Sequence, residues 1–362
     1  MQLSELTELT AQLVAIESVN PALVPGGNGE RELAVFVAAW CERRGLVVEL
    51  VGPEQRPSVI ATKRGSGGGR SLLLNAHLDT VGVAGMAEPL TPRVEEGYLY
   101  GRGSYDMKGA LAAILLVVAG LPTLRGDVIV TAVADEELAS IGTEAVLERV
   151  RADAAIVPEP TDLQLAVAHR GFVGFELETH GVAAHGSRPD LGVDAIVKMG
   201  HVLVALEELD ERLQSGPSHP LVGTGSVHAS LIEGGQELSS FPARCLLTGE
   251  RRTIPGESTA DVERELRELA GDATVRVIAS RDPYEAPREH HFVALVARIA
   301  GTHELHGAPF WTDAALVAAA GIPTVLYGPS GDGAHAEVER VDLASLERVR
   351  DVIARIAVEW CT

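Results

Sequence analysis

The run "SLLLNAHLDTVG", residues 71–82, is an apolar segment that ends in a histidine and an aspartate two positions apart. In a strand, residues i and i+2 share a face. His77 and Asp79 therefore stand side by side where the strand runs out. On their own they are either a polar strand end with satisfied hydrogen bonds or a metal-binding histidine held by a carboxylate. The choice turns on whether other ligand-type residues arrive at comparable strand ends.

Working outward, residues 1 to about 168 alternate helix and strand signals. "ERELAVFVAAWCERRG" is a helix stopped by Gly45. "LVVELV", "SVIATK", "SLLLNAH", "DVIVTAVAD" and the shorter "ADAAIVPEP" read as strands. A helix at 109–121 lies among them, giving an α/β layer with a partly parallel sheet. The pattern changes near Gly171, where "GFVGFELETHG" alternates like a half-exposed antiparallel strand. A helix near 192–213, strands near 223–233 and 243–251, a helix near 257–270 and the strand "TVRVIAS" follow. That βαββαβ order is the ferredoxin-like arrangement. Helix–strand alternation resumes from 290 and closes with a helix whose apolar Leu343, Leu346, Val349, Ile353 and Ile356 keep helical spacing. The expected organisation is a discontinuous α/β domain, residues 1–170 and 282–362, with an inserted α+β domain at 171–281. Its main sheet is expected to be mixed and mostly parallel, with helices on both faces.

A chain of 362 residues that is 46% hydrophobic can fill two cores. Its 51 acidic residues against 30 basic ones give a net charge of −21, which repels nucleic acid and anionic membranes. Cys41, Cys245 and Cys361 form no C-x-x-C pair, which fits a reducing cytoplasm. The N-terminal stretch is an acidic amphipathic helix without the basic region of a signal peptide. The apolar run "ALAAILLVVAGL", 110–121, is too short to span a bilayer and reads as a buried helix.

Two motifs fail on context. "RGSGGGR", 64–70, precedes a strand rather than the helix a phosphate loop needs, and reads as a flexible hairpin. "GPSGDG", 328–333, lacks the second glycine of a nucleophile elbow.

The ends of the first-domain strands, in contrast, collect ligand types. His77 and Asp79 end one strand. Asp106 sits in the glycine-rich loop "GRGSYDMKGA", Glu136 and Glu137 follow "VIVTAVADEE", Glu159 follows "AAIV", and His335 follows "TVLYGPSGDGAH". Ligands of α/β sheets bind beyond the carboxyl ends of the strands. Each residue alone is a solvated helix start or an ordinary loop; together they form an N/O donor set suited to zinc, cobalt or manganese. One carboxylate, Asp106, is suited to bridge two metals roughly 3.5–4 Å apart. Of the adjacent Glu136 and Glu137, one must bind metal and the other must remain free to take a proton from water.

The motifs "NAHLDTVG", "GRGSYDMKGA", "ADEELASIGT", "VPEPTDL", "GVAAHGSRPDLGVDAI" and "WTDAALVAAAGIPTVLYGPSGDGAHAEVERV" resemble the co-catalytic di-zinc amidohydrolases. That family includes acetylornithine deacetylase, succinyl-diaminopimelate desuccinylase, aminoacylase and glutamate carboxypeptidase. The likeness runs over nearly the whole chain in the family's order. It implies that His77 binds one metal and Asp79 orients it, that Asp106 bridges both and precedes a cis peptide bond, and that Glu136 is the general base. Glu137 and His335 would serve the second metal and Glu159 the first. It also implies that the inserted domain is a lid through which the protein forms a homodimer. His185 would reach an active site, often the neighbouring subunit's, and stabilise the oxyanion. Arg252 stands where the family's arginine grips a substrate carboxylate, and Arg251 beside it reads as a surface residue.

The chain departs from the family at Ser239, where many members have a substrate-contacting asparagine, at Glu250, which replaces an aspartate, and at Ala315, where some members have arginine. These differences bear on substrate contacts and not on the metal centre. The resemblance implies hydrolysis of an N-acyl amino acid and looks closest to the acetylornithine deacetylase branch. A dipeptidase or carboxypeptidase with the same centre is the rival enzyme. A non-catalytic metal-binding scaffold is the rival of another class, and would be expected to have lost a ligand or the base.

Overall fold

In the computed structural model, which describes residues 3–362, the chain forms two compact units. The first takes in the chain up to Val167, Ala286–His306 and Thr312–Thr362. The second is Ala168–Glu285 with the short stretch Gly307–Trp311. The sequence reading set the inserted segment at 171–281; the compact unit begins three residues earlier, ends four later and recruits 307–311.

In the first unit the strand Leu72–His77 is buried along its whole length. That burial explains its leucine run: a central strand covered on both faces does not alternate. It lies parallel to Val128–Val133 on one side and to Ala154–Val157 on the other, and Thr324–Leu326 extends the parallel block. Ser58–Lys63 and Val47–Val51 add antiparallel strands beyond Val128–Val133, and Ala166 pairs antiparallel with Leu326 at the other end. The sheet is thus mixed with a parallel centre.

Helix Gly109–Gly120, apolar all round, packs on strands Leu72–His77 and Val128–Val133 and on helix Leu343–Trp360. Leu73, Ile129, Val133, Val146, Val150, Ala155, Val317 and Ile322 form a further core with Ile60. It joins the strands to helices Ile141–Leu147 and Ala314–Ala319. Among the described residues no helix is long and apolar enough to cross a membrane.

The glycine-rich stretch 64–70 is not a hairpin. Strands Ser58–Lys63 and Leu72–His77 are separated by Val128–Val133, so the loop is a crossover. Nor is it free. Ser66 and Gly67 donate to the carbonyls of Leu124 and Arg125 at 2.8 Å. A Cβ on Gly69 would collide with the Gly126 nitrogen and stand 2.6 Å from the Cys361 carbonyl, so glycine is what lets the backbones meet.

A small antiparallel sheet has no counterpart in the sequence reading. Its strands are Gly331–Asp332, Arg340–Asp342, Tyr98–Tyr100 and Arg93–Glu95, in that order. Strands of two or three residues carry too few positions to show a period.

The second unit realises the expected βαββαβ order. Its antiparallel sheet runs Ser226–Gly234, Arg244–Thr253, Gly171–His180 and Thr274–Arg281. Helices Ala195–Ser215 and Thr259–Ala270 supply Met199, Val202, Leu206, Val262 and Leu266 to a core with Val173, Phe175, Leu177 and Leu247. Along Gly171–His180 the inward positions alternate with half-exposed ones, as the sequence predicts for a sheet with one covered face.

Candidate metal centre

The parallel strands all point their carboxyl ends at one edge, and the first-unit candidates gather there. His77 is the last residue of its strand and is buried. Glu136 and Glu137 follow Val128–Val133 by a turn in which Asp135 takes a φ of 69°. Glu159 lies just past Ala154–Val157 and is buried. Asp106 sits in the tight turn Ser104–Lys108 that enters helix Gly109–Gly120, and its peptide bond to Met107 is cis, as the resemblance implies.

Ligand atoms of His77, Glu136 and Glu159 lie within 4.8 Å of one another, and so do those of His77, Asp106 and Glu137. His77 Nε2 is 3.0 Å from Asp106 Oδ1. His335 reaches the same carboxylate from the other side, its Nε2 3.4 Å from Asp106 Oδ2 and 3.1 Å from Glu137 Oε2. Six residues from five segments thus converge.

The electrostatics follow from crowding carboxylates where water is scarce. Burial, reinforced by the charge of Glu159, holds the Glu136 carboxyl well above its usual range. Burial does the same to Glu159, partly opposed by His77. Burial disfavours a charged His77, yet the Asp106 hydrogen bond and the charges of Glu159, Asp106 and Glu136 prevail and hold its imidazole well above the ordinary value. Hydrogen bonds to Asp106 and Glu137 lift His335 to about 10. The two histidines in turn outweigh burial at Asp106 and hold its carboxyl below the normal range. The raised histidines report the negative potential of the surrounding carboxylates, and the raised Glu136 and Glu159 report the cost of burying several of them together; a divalent cation would relieve both.

Asp79 does its positioning differently from the expectation. His77 Nδ1 meets the backbone carbonyl of Asp79 at 2.9 Å, while the nearer carboxylate oxygen is 3.7 Å away. The carboxylate faces the neighbouring turn, accepting from the amides of Glu136 at 3.1 Å and Glu137 at 3.2 Å. The strand ends at His77, so the two side chains no longer share a pleat. One residue therefore sets the imidazole with its main chain and the two glutamates with its side chain.

Several supporting residues escaped the sequence reading. Asn20 donates to Asp79 and to Asp135 at 2.9 Å. Arg56 pairs with buried Glu30 and with Asp135 behind the same turn. Asp313 accepts from Thr143 Oγ1 at 2.6 Å and from Asn75 at 3.4 Å. Asn75 is the one with a visible signal, a polar residue inside the run "LLLNAH".

The remaining candidates belong to the second unit. His185 pairs with Ser240 across a two-residue ladder, and its exposed ring accepts from the Ser187 amide at 3.2 Å. Ser239 lies alongside, its carbonyl accepting from Gly186 at 2.6 Å. Arg252 is held by Glu250, Nε to Oε1 2.6 Å, with its guanidinium 5.7 Å from the Phe172 ring centre. Arg251 is not a surface residue. It is 1% exposed and forms ion pairs with Glu257 at 2.6 Å and Glu265 at 3.2 Å. The alternation Cys245, Leu247, Gly249, Arg251 is the buried face of its strand, which turns Arg252 outward.

A family model described as "Peptidase family M20/M25/M40" matches residues 73–359. The chain is 30% identical over 383 residues to an acetylornithine deacetylase of Proteus mirabilis, covering 100% of this chain and 98% of that protein. It is 31% identical over 376 residues to an acetylornithine deacetylase of Myxococcus xanthus, covering 98% and 96%. Among solved structures, aminopeptidase PepT of Bacillus cereus superposes with a TM-score of 0.80 at 19% identity, over 98% of each chain. An M20 family metallo-carboxypeptidase of Sulfolobus solfataricus does so at 0.78 and 18%, over 99% of each. These two share the fold.

Proposed function

Because the chain belongs to peptidase family M20/M25/M40 and is a hydrolase, we propose that it cleaves the amide bond of an N-acyl amino acid, with N-acetyl-ornithine the first substrate to test. The observation that carries the reaction class is the convergence of His77, Asp106, Glu136, Glu137, Glu159 and His335 at one sheet edge. The near-full-length likeness to acetylornithine deacetylases supports the substrate.

The donor set fits two divalent ions, zinc by preference and cobalt or manganese as alternatives: two imidazoles and four carboxylates, with Asp106 in reach of both histidines. His77, Asp106 and Glu159 would hold one ion, and Asp106, Glu137 and His335 the other. When bound there, the metals supply Lewis-acid polarisation of the amide carbonyl and acidify water. Glu136 accepts a proton from the attacking water and returns it to the leaving nitrogen. Asp79 holds the Glu136–Glu137 turn so that the base and the ligand stay in separate roles. His185 donates to the developing oxyanion and Arg252 binds the substrate carboxylate in a fork, with Ser239 beside the substrate.

Pairing of two copies through the second unit is part of the same reading. It is supported by exposed Val197, Val204, Leu231 and Ile232 on helix Ala195–Ser215 and strand Ser226–Gly234. The three buried, free cysteines accord with the cytoplasm.

The test is turnover of N-acetyl-ornithine, N-succinyl-diaminopimelate, other N-acetyl amino acids and simple dipeptides, with zinc, cobalt or manganese and with a chelator. Metal-dependent preference for N-acetyl-ornithine supports the proposal in full. Chelator-sensitive dipeptide cleavage keeps the mechanism and replaces the substrate. In Glu136→Gln, metal should stay bound while turnover falls by about 10²–10⁴-fold; undiminished turnover would defeat the mechanism.

A further inference from the structure

Glu339 takes no part in the steps above, yet it is 1% exposed and its carboxylate receives four donors. Oε1 accepts from the amides of Tyr105 at 2.9 Å and Asp106 at 3.0 Å. Oε2 accepts from the Gly103 amide at 2.9 Å and from Arg102 Nη1 at 2.7 Å. The segment it grips is the turn that presents Asp106. The segment it belongs to carries His335 four residues earlier.

The two segments are bound at their roots as well. Arg340 pairs with Tyr100 in the small sheet, and the Gly101 amide donates to the Glu339 carbonyl at 3.2 Å. Arg102 closes the arrangement, donating from Nη2 to the Ala336 carbonyl at 3.0 Å and from Nε to the Gly82 carbonyl at 3.1 Å. Ala336 is the neighbour of His335, so one carboxylate and one guanidinium fix the spacing between the His335 loop and the Asp106 turn.

Resting on the metal-centre reading, we propose that Glu339 is a positioning residue that locks Asp106 and His335 into one jaw and thereby sets the affinity of the ion they share with Glu137. The chemistry is specific to a carboxylate. Only a group with two acceptor oxygens and no donor satisfies three amides and a guanidinium at once. A glutamine in its place turns one oxygen into a donor that faces donors. An aspartate keeps the acceptors but is one methylene short of the turn.

The experiment is equilibrium dialysis of zinc and of cobalt against wild type, Glu339→Gln, Glu339→Asp and Arg102→Lys, each first stripped with a chelator, alongside thermal unfolding of the stripped forms. Wild type is expected to hold two ions. Glu339→Gln is expected to hold one tightly and to bind the second about 10–100-fold more weakly, the usual cost of losing a residue that orients a ligand. Its turnover should return toward wild type as metal is added. Glu339→Asp and Arg102→Lys should move the second ion the same way by less, and Arg102→Lys keeps the readout if Glu339→Gln fails to fold. Two ions at wild-type affinity in the folded variants, whatever the melting temperature does, would overturn the proposal. A wild type that binds no ion defeats the metal-centre reading itself and takes the proposal with it.

Discussion

His77 and His335 address the same carboxylate of Asp106 from opposite sides, yet they are built in opposite ways. The His77 side chain is 1% exposed at the end of a central strand; that of His335 is 54% exposed, on a loop, with a φ of 63°. The second unit repeats the contrast in adjacent residues: Arg251 is sealed between Glu257 and Glu265, while Arg252 turns outward beside Phe172. In each pair the chemistry of the side chain is the same and the surroundings assign the work. The buried member is locked in place by its neighbours, and the exposed member keeps a face open to solvent.

The contrast is broken most directly at His77. In His77→Ala, Asp106, Glu136 and Glu159 lose their buried counter-group, and removing one partner of a buried pair costs roughly 3–5 kcal/mol. Chemical denaturation of the metal-free protein should show that loss, and dialysis should show loss of the ion shared with Glu159. If His77→Ala is as stable as wild type, burial is not what distinguishes the two histidines. Arg251→Ala removes a buried guanidinium paired with the partly exposed Glu257 and Glu265 and should destabilise by about 1–3 kcal/mol, read by the same denaturation, with metal content unchanged. Asp79→Asn should weaken metal binding by about 10–100-fold, because its side chain sets the turn that presents Glu137. His335→Ala should lower affinity for the second ion and cost the metal-free protein less stability than His77→Ala, the loss being present near neutral pH and fading as pH rises toward about 10, where His335 gives up its proton; a drop in melting temperature equal to that of His77→Ala would place the two histidines together. Arg252→Ala is the mildest in structural terms, with stability within about 0.5 kcal/mol. Its effect should be a raised KM, and an unchanged KM would remove it from the substrate.

These pairs also show where sequence reading succeeds and where it stops. Mostly apolar runs mark the strands Leu72–His77, Val128–Val133 and Ala154–Val157, and the residues at or just past their ends are the ones the fold gathers. The alternation in Gly171–His180 announced a sheet with one covered face, and its βαββαβ order is the one observed. Arg251 reads as a surface residue because arginine is rarely buried. The period-2 pattern running through Cys245, Leu247 and Gly249 says that this position is inside. The partners Asn20, Glu30, Asp313 and Glu339 left no local trace, because each acts on a segment far away in the chain, and a two-residue strand such as Gly331–Asp332 carries no period to detect.

The place of Thr324–Leu326 in the main sheet has a consequence for how the protein is made. That strand pairs with Ala154–Val157, and Leu326 pairs with Ala166, so it fills the slot between two segments that are synthesised long before it. At about 5–20 residues per second, the roughly 170 residues separating Val157 from Leu326 take of the order of 8–34 s to emerge from the ribosome. For that interval the nascent sheet offers an open strand edge, the kind of template on which chains join one another. Five of the six converging residues are already translated while the edge stays open, and His335 is the last to arrive. Closing the sheet and completing the cluster are thus nearly the same event in the life of the chain, and a ribosome-stalled fragment ending before Thr324 should aggregate where the full chain does not.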